Sequence, residues 1–212
     1  MKKLYTFLNG FLLFAFLSYP IYANDCLQYK LSPSVSVVAP EWTREIVQPY
    51  TEMSLLHGTV VATLNENYEI FADAQNVKDG FCVYLKSVNA TVGYSDFLVK
   101  IDKRHTAGSC PYNATLEHET EHINTYLSVI DNYNDYIKES VKSAADSIMP
   151  IFVQGADNMD AAINKLNDEL QSHPDLILMK QKIKAEEEIR NKGVDDRDPG
   201  TRIKKCMDKG NG

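Results

Sequence analysis

A chain of 212 residues with 29 acidic and 22 basic side chains carries a formal charge of −7. That balance argues against nucleic acid or an anionic membrane surface as partner, because both are bound through clustered cations. It says nothing positive about a substrate.

Lys2 and Lys3 form a basic start, residues 7–17 are an apolar run, and Tyr19-Pro20-Ile21-Tyr22-Ala23 ends on a small residue. This is the pattern of a secretory signal peptide over residues 1–23, cleaved after Ala23. A retained anchor is the alternative, but the run falls short of the roughly 20 apolar residues a span needs. The mature chain, 24–212, is then expected as a single domain with its own core, secreted or periplasmic and off the membrane. Losing Lys2 and Lys3, with no acid in the same segment, takes the formal charge from −7 to −9.

Export also decides how the cysteines are read. Cys26, Cys82, Cys110 and Cys206 are an even set in an oxidising compartment, which favours two disulfides over thiolate metal ligands. No C-x-x-C pair is present. Three pairings are possible. Cys82–Cys110, tying a strand to a helix start, and Cys26–Cys206, tying the termini, are favoured.

In chain order, Ser34-Val35-Ser36-Val37-Val38 reads as a short strand by alternation and β-branching. Residues 40–56, with the lone Trp42, read as an irregular helix, followed by His57 and Gly58. Segments 59–64, 68–72, 81–88 and 97–101 are each rich in Val, Ile, Tyr and Phe. Asn65-Glu66-Asn67, Lys78-Asp79-Gly80 and Gly93-Tyr94-Ser95-Asp96 supply turns between them, so a small antiparallel meander is expected. A polar loop with His105 leads to Ser109, a candidate N-cap, and Pro111, which suits a first helical turn. From there the chain reads as helix to about Ile148, ahead of Pro150. Residues 157–171 and 176–191 form two more helices, the first ended by His173-Pro174 and the second stopped by Gly193. The charged run 182–190 is a solvated face and 194–212 a polar tail. The fold class is therefore α+β, a small antiparallel sheet followed by a long helix and a helical C-terminal half.

The long helix carries His118-Glu119-x-x-His122. Four residues make slightly more than one turn, so both imidazoles project from one face and can share a metal ion. Glu119, one step round, is placed to act as general base towards a water that the ion activates. Unrolled at about 100° per residue, the helix puts Leu116, Ile123, Leu127, Ile130, Ile137, Val141, Ala145 and Ile148 on a core stripe. Asn124, Ser128, Asp131, Asn132, Asp135, Lys138 and Glu139 fall on a solvent sector. His118 and His122 lie in neither. They share a third face with Thr125, Tyr126, Val129, Tyr133 and Tyr136, a groove in which a buried metal site would fit. The plainer reading is a pair of core histidines satisfied by backbone or tyrosine, with Glu119 pairing one of them.

A strand (97–101), a short loop and an H-E-x-x-H helix resemble, in that order, the zincin metallopeptidases. More narrowly, Gly108-Ser109-Cys110-x-Tyr112-x-x-x-Leu116-x-His118-Glu119-x-x-His122 is similar to a group of uncharacterised secreted bacterial domains with a zinc-protease motif. With the Cys82-Val83-Tyr84-Leu85 strand and late Cys206, the resemblance spans roughly residues 80–206. It implies zinc held by His118 and His122, Glu119 as general base, a peptide or protein substrate, and a strand before the helix that lies along the cleft and can pair with that substrate. The longer signature H-E-x-x-H-x-x-G-x-x-H is absent, because Thr125 and Ser128 hold the places of its Gly and third His.

A third ligand must therefore come from elsewhere. If the helices either side of Pro150 form a hairpin, Glu169 and His173 reach the level of His122, with Asp168 and Asp175 close by. Glu169 leads; His105 is a loop alternative and His57 a more distant one. Tyr126 and Tyr133 are candidates for binding substrate, or simply for packing. The function expected is a secreted zinc-dependent metallopeptidase. The alternative is a non-catalytic exported metal-binding or envelope interaction protein.

Overall fold

The computed structural model describes residues 26–50, 57–198 and 200–210; the expected signal peptide, residues 1–23, lies outside them. One strand organises the sheet. Strand β4 (Gly80–Asp102, 23 residues) pairs antiparallel along its length with β3 (Gly58–Val77, 20 residues). The two are joined by a two-residue turn at Lys78-Asp79, where Asp79 takes a left-handed φ of 70°. Each β4 residue has two edges. With β3 on one, the other takes β5 (Ile151–Val153), β1 (Ser34–Val38) and β2 (Thr43–Tyr50) in succession. Strands β1 and β2 run parallel to β4, and β5 runs antiparallel.

The small antiparallel meander is thus corrected to a five-stranded mixed sheet. Residues expected as turns, 65–67 and 93–96, lie inside the long hairpin, and 43–50, expected as irregular helix, are strand. The reason is visible in the burial along β4. Val83 and Leu85 face the core, then Val88, Ala90, Val92 and Tyr94, then Phe97, Val99 and Ile101. The phase of alternation flips twice, where register shifts interrupt the pairing at Phe71/Ala72 and Ala62/Leu64. A bulge adds a residue and turns the next stretch over, so one bent strand looks like several short ones.

Helix α1 (Cys110–Ser147) covers the inner face of the sheet. Ser109 caps it, its Oγ accepting the Tyr112 N–H, and Pro111 occupies the first turn. Its core stripe is as the periodicity predicts: Ile123, Ile130, Ile137, Val141 and Ala145 are buried, while Asn124, Asp131, Asn132, Asp135, Lys138 and Glu139 are exposed. Beyond β5 and a 3-10 turn at Ala156–Asn158, α2 (Met159–Gln171) lies against β4 and β5.

The third helix differs from expectation in a way that matters. Helix α3 runs Pro174–Arg197, straight through Gly193, and packs along α1. A helical glycine costs about 1 kcal/mol relative to alanine, an amount that burial of the neighbouring Val194 offsets. A short fourth helix, α4 (Thr201–Gly210), replaces the expected polar tail and lies against α1.

Two disulfides are present, as expected of an oxidising compartment, but with the other partners: Cys26–Cys82 and Cys110–Cys206. Sheet register explains the first. Ser34 aligns with Ser87, and the longer stretch before β1 is shortened by a 3-10 turn at Leu27–Tyr29, so Cys26, eight residues before Ser34, meets Cys82, five before Ser87. The second follows from α4 returning to the start of α1. No helix among the described residues is long and apolar enough to cross a membrane.

Candidate metal centre

His118 and His122 stand on the groove face of α1, and α3 closes that groove. His118 Nε2 lies 3.2 Å from His122 Nε2, and Asp195 Oδ1, from the last turn of α3, lies 3.3 Å and 3.1 Å from them respectively. Ligands about 2.0–2.1 Å from a tetrahedral zinc ion stand roughly 3.3–3.4 Å apart, so these three atoms have the spacing of one face of such a site.

Proton placement makes the case sharper. His122 Nδ1 is 2.8 Å from Asn191 Oδ1, an acceptor that satisfies a hydrogen on Nδ1, and in that tautomer Nε2 turns its lone pair inward. Asp195 Oδ1 has only lone pairs to offer. A neutral His118 shows either a lone pair or a single hydrogen to two acceptors. A proton on one imidazole or a cation among the three atoms relieves the repulsion between such acceptors, and a divalent metal meets the second condition. The donor set fits zinc: two neutral imidazole nitrogens and one carboxylate oxygen. His118, His122 and Asp195 are also the one group of metal-ligating side chains that meets among the described residues.

Glu119 is 3% exposed and lines the same cavity, of about 790 Å³. Burial, reinforced by the Asp195 carboxylate, pushes its pKa up to about 8, and a hydrogen bond from the Val60 N–H opposes the shift. Strand β3 passes so close that a Cβ at Gly58 would stand 2.7 Å from Glu119 Oε1 and 2.4 Å from Thr115 Cγ2. Any side chain at Gly58 would have to displace Thr115 and Glu119. The cavity wall runs from His57 through Val60 to Tyr126 and Ile203.

The expected third ligands are elsewhere. Glu169 pairs with Lys165 at 3.8 Å on α2, and His173 caps α3 by accepting the Asp175 N–H. His105, 2% exposed, stacks on His57, with His57 Nδ1 and His105 Nε2 2.9 Å apart. Burial lowers the pKa of both rings. His57 lines the cavity, but neither it nor His105 joins the triad. Tyr126 lines the cavity; Tyr133 packs edge-on against Tyr136.

The hairpin assumed in ranking those candidates does not form, because β5 carries the chain back to the sheet and leaves α3, not α2, beside α1. The strand before the helix is corrected as well. Residues 97–101 are flanked by β2 and β3, so neither edge is open; among the described residues β3 has the outer edge that borders the cavity.

A signal for the missing ligand is present in the sequence. Glu187, Asn191 and Asp195 recur every four residues, a polar stripe on one helical face. All three have partners across the packing: Tyr94 of β4 donates to the buried Glu187, and Asn191 and Asp195 meet His122 of α1. Reading Gly193 as a stop cut this stripe before its last member. Comparison with protein-family models, curated proteins and solved structures gives no match.

Proposed function

We propose that this chain is an exported zinc-dependent hydrolase that cleaves peptide bonds, with His118, His122 and Asp195 holding the ion and Glu119 as general base. The observation that carries the reading is the convergence of three acceptor atoms at 3.1–3.3 Å beside a buried glutamate on the same helix turn. A bound zinc ion would supply Lewis acidity, polarising a carbonyl and lowering the pKa of water.

The chain's own groups do the rest. Asn191 holds His122 in the tautomer whose Nε2 faces the ion. The Val60 N–H engages one Glu119 oxygen and leaves the other to take a proton from the attacking water. Glu119 keeps that proton in its buried surroundings until the leaving amine receives it. The outer edge of β3 at Gly58–Val60 runs beside the cavity, where an extended peptide can lie along it.

A specific contact also favours a non-catalytic metal-binding role. Glu119, tied to the Val60 backbone, straps β3 to α1 in the manner of a structural carboxylate. One experiment separates the two. The mature protein is reconstituted with zinc, dialysed, analysed for metal and assayed on unstructured peptide libraries beside Glu119→Gln. One equivalent of zinc in both proteins, with cleavage only by the wild type, supports the hydrolase. Zinc without cleavage by either supports the binding role, and a wild type that retains no zinc rejects both.

A further inference from the structure

The two metal-facing imidazoles are treated differently by their surroundings. His122 Nδ1 has an acceptor, Asn191 Oδ1, at 2.8 Å. His118 Nδ1 is buried and lacks a hydrogen-bond partner, one of three such side-chain atoms among the described residues. With Nε2 turned towards His122 and Asp195, a neutral His118 that ligates a metal must carry its hydrogen on Nδ1. That hydrogen then needs an acceptor.

The nearest carboxylate on that side is Asp198, whose Oδ2 lies 3.9 Å from Nδ1. It faces the nitrogen turned away from the triad, so it is placed to orient the ring and not to bind the ion. Its own position is fixed. Arg202 Nε stands 2.9 Å from the same Oδ2, and the Arg202 N–H donates to Oδ1 at 3.2 Å. Arg202 is held in turn by Glu121 at 2.5 Å, and the Cys110–Cys206 disulfide fastens α4 to the start of α1. The side chain of Asp198 is 8% exposed, so little water competes for it.

We propose that Asp198 is the positioning residue for His118: it accepts the Nδ1 hydrogen when metal binds, as Asn191 does for His122. The inference rests on the zinc reading above. Closing the gap to hydrogen-bonding distance requires less than about 1.5 Å of movement shared by a side chain on α1 and one at the C-cap of α3.

The test is zinc competition against a chromophoric chelator, using the mature chain with both disulfides intact. Asp198→Ala weakens zinc binding by about 10–100-fold, the usual loss when a ligand's outer partner is removed. Asp198→Asn, which keeps an acceptor oxygen, loses less. The metal-free melting temperature of each variant serves as the control for a merely structural role. Long-range proton–nitrogen spectra of zinc-loaded wild type supply a reading that needs no variant: His118 Nδ1 carries a slowly exchanging proton. A wild type that binds zinc while Asp198→Ala binds it equally well overturns this inference alone. A zinc-loaded wild type whose His118 Nδ1 lacks that proton overturns it too, even if Asp198→Ala fails to fold. A wild type that binds no zinc overturns the metal reading and this inference with it.

Discussion

Asp195 Oδ1 lies 3.1 Å from His122 Nε2 although 73 residues separate them in the chain. Asp195 reaches the histidines only because α3 continues one full turn past Gly193 and its axis follows α1. Removing Asp195 leaves two neutral imidazoles, one ligand short of a usual catalytic zinc site. Asp195→Ala therefore weakens zinc by about 100-fold or more, roughly 3 kcal/mol, in a chelator competition. Glu169→Ala and His173→Ala leave the affinity unchanged. If Glu169→Ala matches Asp195→Ala, the site is wrongly drawn.

Glu119→Gln preserves shape and the hydrogen bond to Val60 but cannot take up a proton. Peptide hydrolysis falls by about 10²–10⁴-fold, the range for loss of a general base, with zinc stoichiometry unchanged. Steady-state assays on one cleaved peptide give the ratio, and metal analysis of the same samples checks the occupancy.

Two glycine substitutions have opposite signs. Gly58→Ala drives a methyl group into Thr115 and Glu119, and destabilises the fold by about 1–3 kcal/mol while displacing the glutamate. Gly193 is an interior helical residue; the nearest atom to an added Cβ there is Arg197 Nη1, at 3.7 Å. Gly193→Ala therefore stabilises, by up to about 1 kcal/mol. Denaturant unfolding reads both. A loss of stability in Gly193→Ala would mean a helix end, with its left-handed glycine, at that position.

His57, half-buried, and His105, buried, have pKa values below the ordinary 6.5. Desolvation is the main cause; for His57 the Arg104 charge adds to it, for His105 the neighbouring His57 adds to it and Arg104 contributes least, and Asp102 opposes the shift in both. The unfolded chain then binds protons that the folded one resists. Stability is full above pH 6.5 and is lost as pH falls through the lowered folded values. In unfolding experiments at pH 7.5 and 5, His105→Gln shows a smaller difference than wild type.

The Cys110–Cys206 disulfide joins residues 96 apart and anchors the segment beside the candidate metal centre. Replacing both cysteines by serine costs about 2–4 kcal/mol. It also weakens zinc binding more than the same replacement at Cys26–Cys82, which ties the far end of the sheet. Equal zinc affinities in the two variants would show that α4 does not support the site.

Several features were legible in the residues alone. The spacing of His118 and His122 sets them on one helical face by the geometry of the turn, and the three faces of α1 follow from period and polarity. The N-cap at Ser109 and the turn at Lys78-Asp79 are local chemistry as well. The strands of the sheet were legible only as fragments, because each bulge in the long hairpin flips the alternation that marks a strand. The disulfide partners were not legible, and the third candidate ligand showed only as the last member of the Glu187-Asn191-Asp195 stripe, with nothing to say what that stripe faces. Both depend on which helix lies beside α1 and which strand lies beside β4, and sequence distance carries no information about either. Asp195 is the sharpest instance: an acid in a polar tail by local reading, it meets His118 and His122 because packing against α1 outweighs the small helical penalty of one glycine.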